Sequence, residues 1–338
     1  MAVAPKSDLP EIEELLRRSR ELEKLRQQVR ARVGRVWMLL LAGTAALYLA
    51  VRPLLGPSGW YLFPAAILVL FFWALLQTQT ALRPYHDTYK REVLGPLVEA
   101  VLPGFRHDPG AGLSREVFLA SRLFPSRPDR YHSEDLFSGR LTGVPLSFAE
   151  VRAEEKREDC DKEGCRTRYL TIFKGLLAVA EFPKSFQGTV LVYPDRSEKL
   201  LGALSRGLQN LGGRFRGLQL IKLEDPVFER HFVAYADDPV TARYVLSTRL
   251  METLSSYRER YGPIYVSFVD GTLYLALPYS GDAFEPPPLW RAAVDVRRLR
   301  RYADLLQAMR DVVSRLQLDV RIWGERALKQ PGASGERG

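Results

Sequence analysis

Cys160 and Cys165 are the only cysteines of the sequence, and they flank DKEG inside the strongly charged stretch EEKREDCDKEGCRTR. Two thiolates on what reads as an exposed hairpin tip can bind a metal or close into a disulfide. A structural zinc site takes four ligands, however, and no second Cys or His pair lies nearby in sequence, so zinc would require a dimer or distant histidines. An incidental thiol pair is the simplest reading, with a redox-linked disulfide behind it. A single pair of cysteines cannot supply a disulfide framework, so the main domain must rest on its core, which agrees with a reducing compartment.

His86, His107, His132 and His231 are scattered and show neither HExxH nor any other ligand spacing, so each reads as structural. No G-x-S-x-G elbow, Walker loop or dinucleotide fingerprint is present. Hydrolase, nucleotide-dependent and oxidoreductase classes therefore lack their usual signatures, and the sequence calls for no cofactor and no metal. Glu224, Asp225, Glu229, Asp237 and Asp238 can act as metal ligands or as a general acid and base if the fold gathers them. Asp225 and Asp238 each precede a proline, though, and an Asp followed by Pro at the first helical position is a helix start. Arg297, Arg298, Arg300 and Arg301 cluster where the last helix should begin. They form either a solvated face or a contact with anionic lipid headgroups, worth roughly 1 kcal/mol per arginine. The sequence assigns no catalytic residue.

The elements that would position these groups are unevenly built. The chain has 338 residues, 46% hydrophobic and 26% charged, with a net charge of +9. The apolar residues concentrate near the N-terminus. No charge interrupts VWMLLLAGTAALYLAV between Arg35 and Arg52, nor the stretch between Arg52 and Arg83, which includes AAILVLFFWALL. A bilayer-spanning helix needs about 20 mainly apolar residues. The second stretch, from Trp60 to Leu82, meets that length, and the first reaches it by including residues at both ends. The link RPLLGPSGW is short and rich in Pro and Gly, so residues 35–82 read as a transmembrane helical hairpin. Arg26, Arg30, Arg32 and Arg35 precede the first span, Arg83, Lys90 and Arg91 follow the second, and the turn offers only Arg52. The positive-inside rule then makes both termini cytoplasmic, in a multi-pass protein of the inner or plasma membrane. The polar residues ahead of the first span speak against a cleaved signal peptide.

Residues 1–34 carry an amphipathic stripe, with Leu15, Leu22, Val29 and Val36 at heptad spacing, predicted to run straight into the first span. Residues 83–112 hold a second amphipathic helix (Leu82, Tyr85, Tyr89, Val93, Leu97, Val101), kinked at Gly95-Pro96, and a Pro/Gly connector. The two amphipathic helices either pair as an antiparallel coiled-coil stalk or pack separately on the globular domain. Residues 113–323 are expected to form an α+β domain with mainly antiparallel sheet and packed helices. Its predicted elements begin with a helix at 113–124 and strands at 136–141, 144–151, 168–182 and 189–193. A helix at 197–211 follows, then strands at 218–223 and 231–236 and a helix from Asp238-Pro239 to Gly262-Pro263. A hairpin 264–269/272–277 turns through Asp270-Gly271, and a C-terminal amphipathic helix closes the domain. Residues 324–338 read as a disordered tail.

The order of the hairpin, SEDLFSGRLTGVPLSFAEV, FKGLLAVAEFPKSFQG, LEDPVFERHFVAYADDPVTARYVLSTRLMETL, YVSFVDGTLYLAL and FEP resembles the bacterial membrane-anchored family called domain of unknown function 3137. The resemblance runs from the hairpin to Pro286, and the block from Glu224 to Met251 is its most specific part. It implies a topology and no established activity.

These readings favour a non-enzymatic scaffold or binding protein that presents an α+β domain at the inner membrane face. The competing reading is a tethered enzyme of unknown reaction, with Asp237, Asp238 and Glu229 as its acidic groups. The expected partners are the lipid bilayer, anionic headgroups and a protein. Nucleic acid is not expected, since no binding motif accompanies the positive charge.

Overall fold

The computed structural model describes residues 9–51, 62–141, 143–161, 164–181, 186–195, 217–279 and 284–327. The chain divides into two compact units. The first combines Met1–Ala100 with Phe284–Ala303, and the second combines Val101–Ala283 with Asp304–Gly338.

In the first unit the N-terminal amphipathic stripe and the first apolar stretch form one helix, α1 (Leu9–Val51). No Pro or Gly breaker separates them, except Gly34 and Gly43, which a helix tolerates. The second stretch forms α2 (Leu62–Tyr89). Leu22, Val29 and Leu40 of α1 and Ala74, Ala81 and Tyr85 of α2 are buried. Small alanines let the two backbones approach closely. Trp37 meets Phe71 edge-on, with ring centroids 5.8 Å apart. Beyond Tyr89 the helix widens into a π-turn, Lys90–Leu94, before α3 (Gly95–Val101) begins, and the Gly95 N–H donates to the Lys90 carbonyl. Pro96 has no N–H for the carbonyl four residues back, so the predicted kink is expressed as a one-residue shift of the ladder just ahead of it.

The second unit is built on a nine-stranded sheet in the order β1-β2-β3-β4-β9-β8-β5-β7-β6. Its strands are β1 (Arg106–Asp108), β2 (Arg130–Leu141), β3 (Val144–Asp161), β4 (Gly164–Glu181), β5 (Thr189–Pro194), β6 (Gln219–Ile221), β7 (Phe232–Ala236), β8 (Tyr265–Val269) and β9 (Thr272–Pro278). Every pairing is antiparallel. The fold class is therefore α+β. The β8–β9 turn works as its sequence predicts: Asp270 and Gly271 both adopt positive φ, 46° and 78°, the pair of angles a tight hairpin of this twist requires.

Strands β3 and β4 are longer than the predicted 144–151 and 168–182. Pairing with β2 stops at Arg130↔Glu154, and pairing with β9 stops at Gly175↔Pro278. From there to Asp161↔Gly164 the two strands pair only with each other. Charged residues on both faces hide this ribbon from any search for apolar alternation. The guanidinium of Arg130 lies over the Tyr169 ring, 3.4 Å from its centroid, near the base of the ribbon.

Helix α4 (Arg115–Ala120), capped by Ser114, carries Phe118 into the main core. There Phe118 stacks on Phe124, at 5.2 Å between centroids, and both contact Phe173 of β4. The Tyr193 hydroxyl, fully buried on β5, donates to the Leu123 carbonyl at 2.9 Å. After β6 come α5 (Pro226–His231), α6 (Pro239–Val245) and α7 (Thr248–Tyr261). The single helix predicted after Asp238-Pro239 is thus two. Leu246 leaves the helical region and Ser247 restarts it as a new N-cap, its hydroxyl accepting from the Leu250 N–H at 3.4 Å. The last helix, α8 (Val296–Ala327), continues through Gly324. The helix predicted at 197–211 lies outside the described residues, as do the hairpin turn and residues 328–338.

At Gly175 the backbone approaches β9 so closely that a Cβ would overlap the Leu277 carbonyl oxygen. Gly175→Ala is therefore expected to lower the stability of the sheet unit by about 2–4 kcal/mol, as for other backbone clashes in a packed core. Urea unfolding of the detergent-solubilised chain followed by tyrosine and tryptophan emission measures it. An unchanged midpoint would mean that the β4–β9 register is not as described.

Candidate functional site

The acidic residues singled out in the sequence are spread over separate local tasks. Asp225 caps α5, its Oδ1 accepting from Val227 N at 2.9 Å and Phe228 N at 3.0 Å. Asp238 caps α6, accepting from Thr241 N and Thr241 Oγ1, each at 2.7 Å, and from Val240 N at 3.2 Å. The Thr241 hydroxyl, then the two backbone N–H groups, hold the Asp238 carboxyl below its ordinary range. Asp237 accepts from Thr189 N at 2.8 Å, and Glu229 from Leu223 N at 2.9 Å. Glu224 is exposed. The proposed acid–base trio of Asp237, Asp238 and Glu229 is engaged in backbone hydrogen bonds.

The histidines take carboxylate partners one by one. His132 pairs with Glu134 at 3.5 Å and His231 with Glu259 at 3.2 Å, both near the surface. His107 is buried. It reaches Asp135 at 2.9 Å and stacks on Phe137 with centroids 4.4 Å apart. Asp135 sits at a β-bulge between Glu134 and Phe137 with a φ of 55°. A bulge with a left-handed aspartate re-aims a side chain, here toward the imidazole. Sequence reasoning missed this pair because nothing local links His107 to Asp135.

Cys160 stands directly opposite Cys165 in the β3–β4 register. Cys165 is disulfide-bonded, and Cys160 is the only other cysteine of the chain. Of the alternatives read from the sequence, the disulfide is the form described at Cys165. A hairpin brings opposite residues to about 4.5–5.5 Å between Cα atoms, within disulfide reach.

A polar cluster of the first unit lies where Phe284–Ala303 meets the two long helices. Lys90 is only 6% exposed. Its Nζ lies 3.2 Å from Glu285 Oε1, and His86 Nδ1 lies 3.0 Å from Glu285 Oε2. Burial pushes the Glu285 carboxyl up, but His86 and Lys90 together outweigh it and leave it below its ordinary value. The Glu285 carbonyl accepts from Arg298 Nη1 at 3.1 Å and Tyr302 OH at 3.0 Å. On α1, Glu23 accepts from Ala293 N at 3.1 Å, and Arg26, paired with Glu23, donates to the Leu289 carbonyl. Tyr85 of α2 donates to the Pro287 carbonyl at 3.3 Å.

Next to this clamp, Arg291, Arg297, Arg298, Arg300 and Arg301 line a cavity of about 1020 Å³ at the start of α8, together with Asp295. Four of these arginines are those read from the sequence. Trp290, the residue before Arg291, is 76% exposed. Farther along α1 and α2 the outward faces are apolar, with Met38 at 68%, Leu41 at 69% and Leu68 at 68% exposure. Both helices are long and apolar enough to cross a membrane.

Residues 171–318 match the family model described as Protein of unknown function (DUF3137). The family read from the sequence is the one found. The matched span begins in β4, so the helical hairpin and the strands before β4 lie outside it. No curated protein matches the chain. Among solved structures, the mycobacterial trehalose monomycolate transport factor A, TtfA, is similar over 60% of this chain and 88% of its own, at 10% identity and a TM-score of 0.29.

Glu285 and Trp290 are not among the sequence candidates, and Lys90 is there only as a basic flank of the second span. Lys90 follows Tyr89 on the apolar stripe of the second amphipathic helix, which is the one local hint that its charge needs a buried partner.

Because the folded Glu285 carboxyl is lowered, its contribution is fully present above its unfolded value near 4.5. It is lost as pH falls through the folded value. Acidification below about pH 4.5 is expected to speed amide exchange at residues 284–303 relative to the sheet. Glu285→Gln should produce the same release at neutral pH, costing roughly 3 kcal/mol by removing the carboxylate charge that faces Lys90 and His86. Hydrogen exchange of the detergent-solubilised chain measures both. Equal protection in variant and parent would overturn the clamp.

Proposed function

We propose that this chain is a membrane-anchored scaffold or binding protein without catalytic chemistry of its own, in which α1 and α2 hold the antiparallel sheet unit at the membrane face. The observation that carries this reading is the outward apolar surface of the hairpin. Met38, Leu39, Leu41, Leu49, Leu68, Val69 and Phe72 all point away from the protein. Apolar side chains arranged this way on adjacent helices are stable in hydrocarbon and costly in water, at about 25 cal/mol per Å². The local engagement of the candidate carboxylates supports a binding role over an enzymatic one. The partners that suit it are the bilayer, anionic headgroups near the basic flanks and a protein that docks on the sheet unit.

Both termini are assigned to the cytoplasm because the arginines gather at the outer ends of the two helices rather than at the turn. On that side, glutathione and thioredoxin keep exposed cysteine pairs reduced. Cys160 and Cys165 are therefore expected to alkylate as free thiols when cells are quenched before lysis, and to close into the cross-strand bond only under oxidation. Reporter fusions at either terminus should be active in the cytoplasm. An extracytoplasmic signal, together with cysteines protected until a reductant is added, would overturn the orientation. Carbonate washing of membranes tests the anchor itself, and release of the chain into the supernatant would sink it. Capture from native membranes tests the binding role, and turnover on a substrate panel without any captured partner would count against it.

A further inference from the structure

We propose that the arginine-lined hollow at the start of α8, with Trp290 at its side, docks on the phosphate groups of anionic phospholipids in the bilayer that holds the hairpin. This rests on the membrane-anchored reading and names a specific contact within it. Five guanidinium groups line the hollow against one carboxylate, Asp295. That carboxylate is already engaged, accepting from the Arg297 backbone N–H at 2.9 Å. Arg298 is held by the Glu285 carbonyl. Among the described residues, the side chains of Arg291, Arg297, Arg300 and Arg301 have no hydrogen-bond or ion-pair partner.

Such a concentration of like charge opposes itself, and it is placed where the aligned amides of α8 also disfavour cations. Among the described residues, Asp295 is the one carboxylate lining the hollow, and it leaves the positive charge in excess. A phosphate offsets that excess, since guanidinium groups bind its oxygens in pairs. Free phosphate and a lipid headgroup share that chemistry, and two observations favour the headgroup. Trp290 is exposed beside Arg291, and an indole with an apolar body and a polar N–H is at home at the membrane interface. The segment also sits at the exit of the hairpin. The Pro287 carbonyl is bound by Tyr85, three residues, or roughly 5 Å, beyond Leu82, the last residue of the second apolar stretch. The headgroup layer is about 5–7 Å deep on each side of the hydrocarbon.

The test uses the full chain in zwitterionic detergent, titrated with phosphatidylglycerol, phosphatidylcholine or inorganic phosphate while tryptophan emission is followed. Subtracting the Trp290→Phe signal isolates the Trp290 contribution. Phosphatidylglycerol is expected to shift this emission to the blue, with phosphatidylcholine and phosphate inactive. The triple variant R297Q/R300Q/R301Q should need on the order of a hundredfold more lipid, while R297K/R300K/R301K, which keeps the charge but not the paired guanidinium contacts, should fall between it and the parent and so guards against a folding defect. Equal responses to both lipids, or an unchanged triple variant, overturn the proposal. An equal response to inorganic phosphate also overturns it, in favour of a soluble anion. Failure of the unaltered chain to enter phosphatidylcholine bilayers is a different result and counts against the anchor, not against the hollow.

Discussion

A lysine removed from water must keep a carboxylate close, and the first unit is organised around that requirement. Lys90 is nearly buried at the end of α2, and its partner Glu285 arrives only after the sheet has been completed. The chain therefore leaves the helices, builds its strands and returns as Phe284–Ala303. The return is fastened at three places: Glu285 to Lys90 and His86, Pro287 to Tyr85, and Leu289 and Ala293 to the Arg26–Glu23 pair. Several of these contacts use backbone carbonyls. They fix the path of the segment more than its side-chain identity, which leaves its arginines and Trp290 available for something else.

The second unit distributes its polar groups differently. Its aspartates serve as helix caps and strand-end acceptors, so the carboxylates that look catalytic in a linear reading are separate structural devices. The sheet carries the chemistry of pairing instead. Strands β3 and β4 run past both of their neighbours, and an isolated two-stranded ribbon is marginal in water. Cross-strand charge pairs such as Arg168–Asp159, at 3.8 Å, add little by themselves. The Cys165 bond sits at the tip of this ribbon, where a covalent link restrains the strands most directly.

The outward face of the helical hairpin and the arginine hollow point to the same environment by independent physics. Among the described residues, one is apolar surface left exposed along the two helices, and the other is a group of five arginines lined up with a single carboxylate. A bilayer suits both, offering hydrocarbon to the first and phosphate to the second.

Much of the architecture was legible in residue pattern alone because it follows from local rules. The two apolar stretches, the Asp-Pro helix starts, the Asp270-Gly271 turn and the arginine cluster are each decided by neighbours in sequence. Periodicity likewise identified an antiparallel α+β domain, since alternation and tight turns are short-range signals. Tertiary structure alone decided what depends on distant partners. It set the nine-strand order, extended the β3–β4 ribbon through a charged stretch with no apolar alternation, and joined Lys90 to Glu285 and His107 to Asp135. It also turned the arginine cluster into a lined hollow by bringing Arg291 beside it. Local pattern records what a segment can bury, but a buried charge or an opposing strand is chosen by contacts that the folded chain alone brings together.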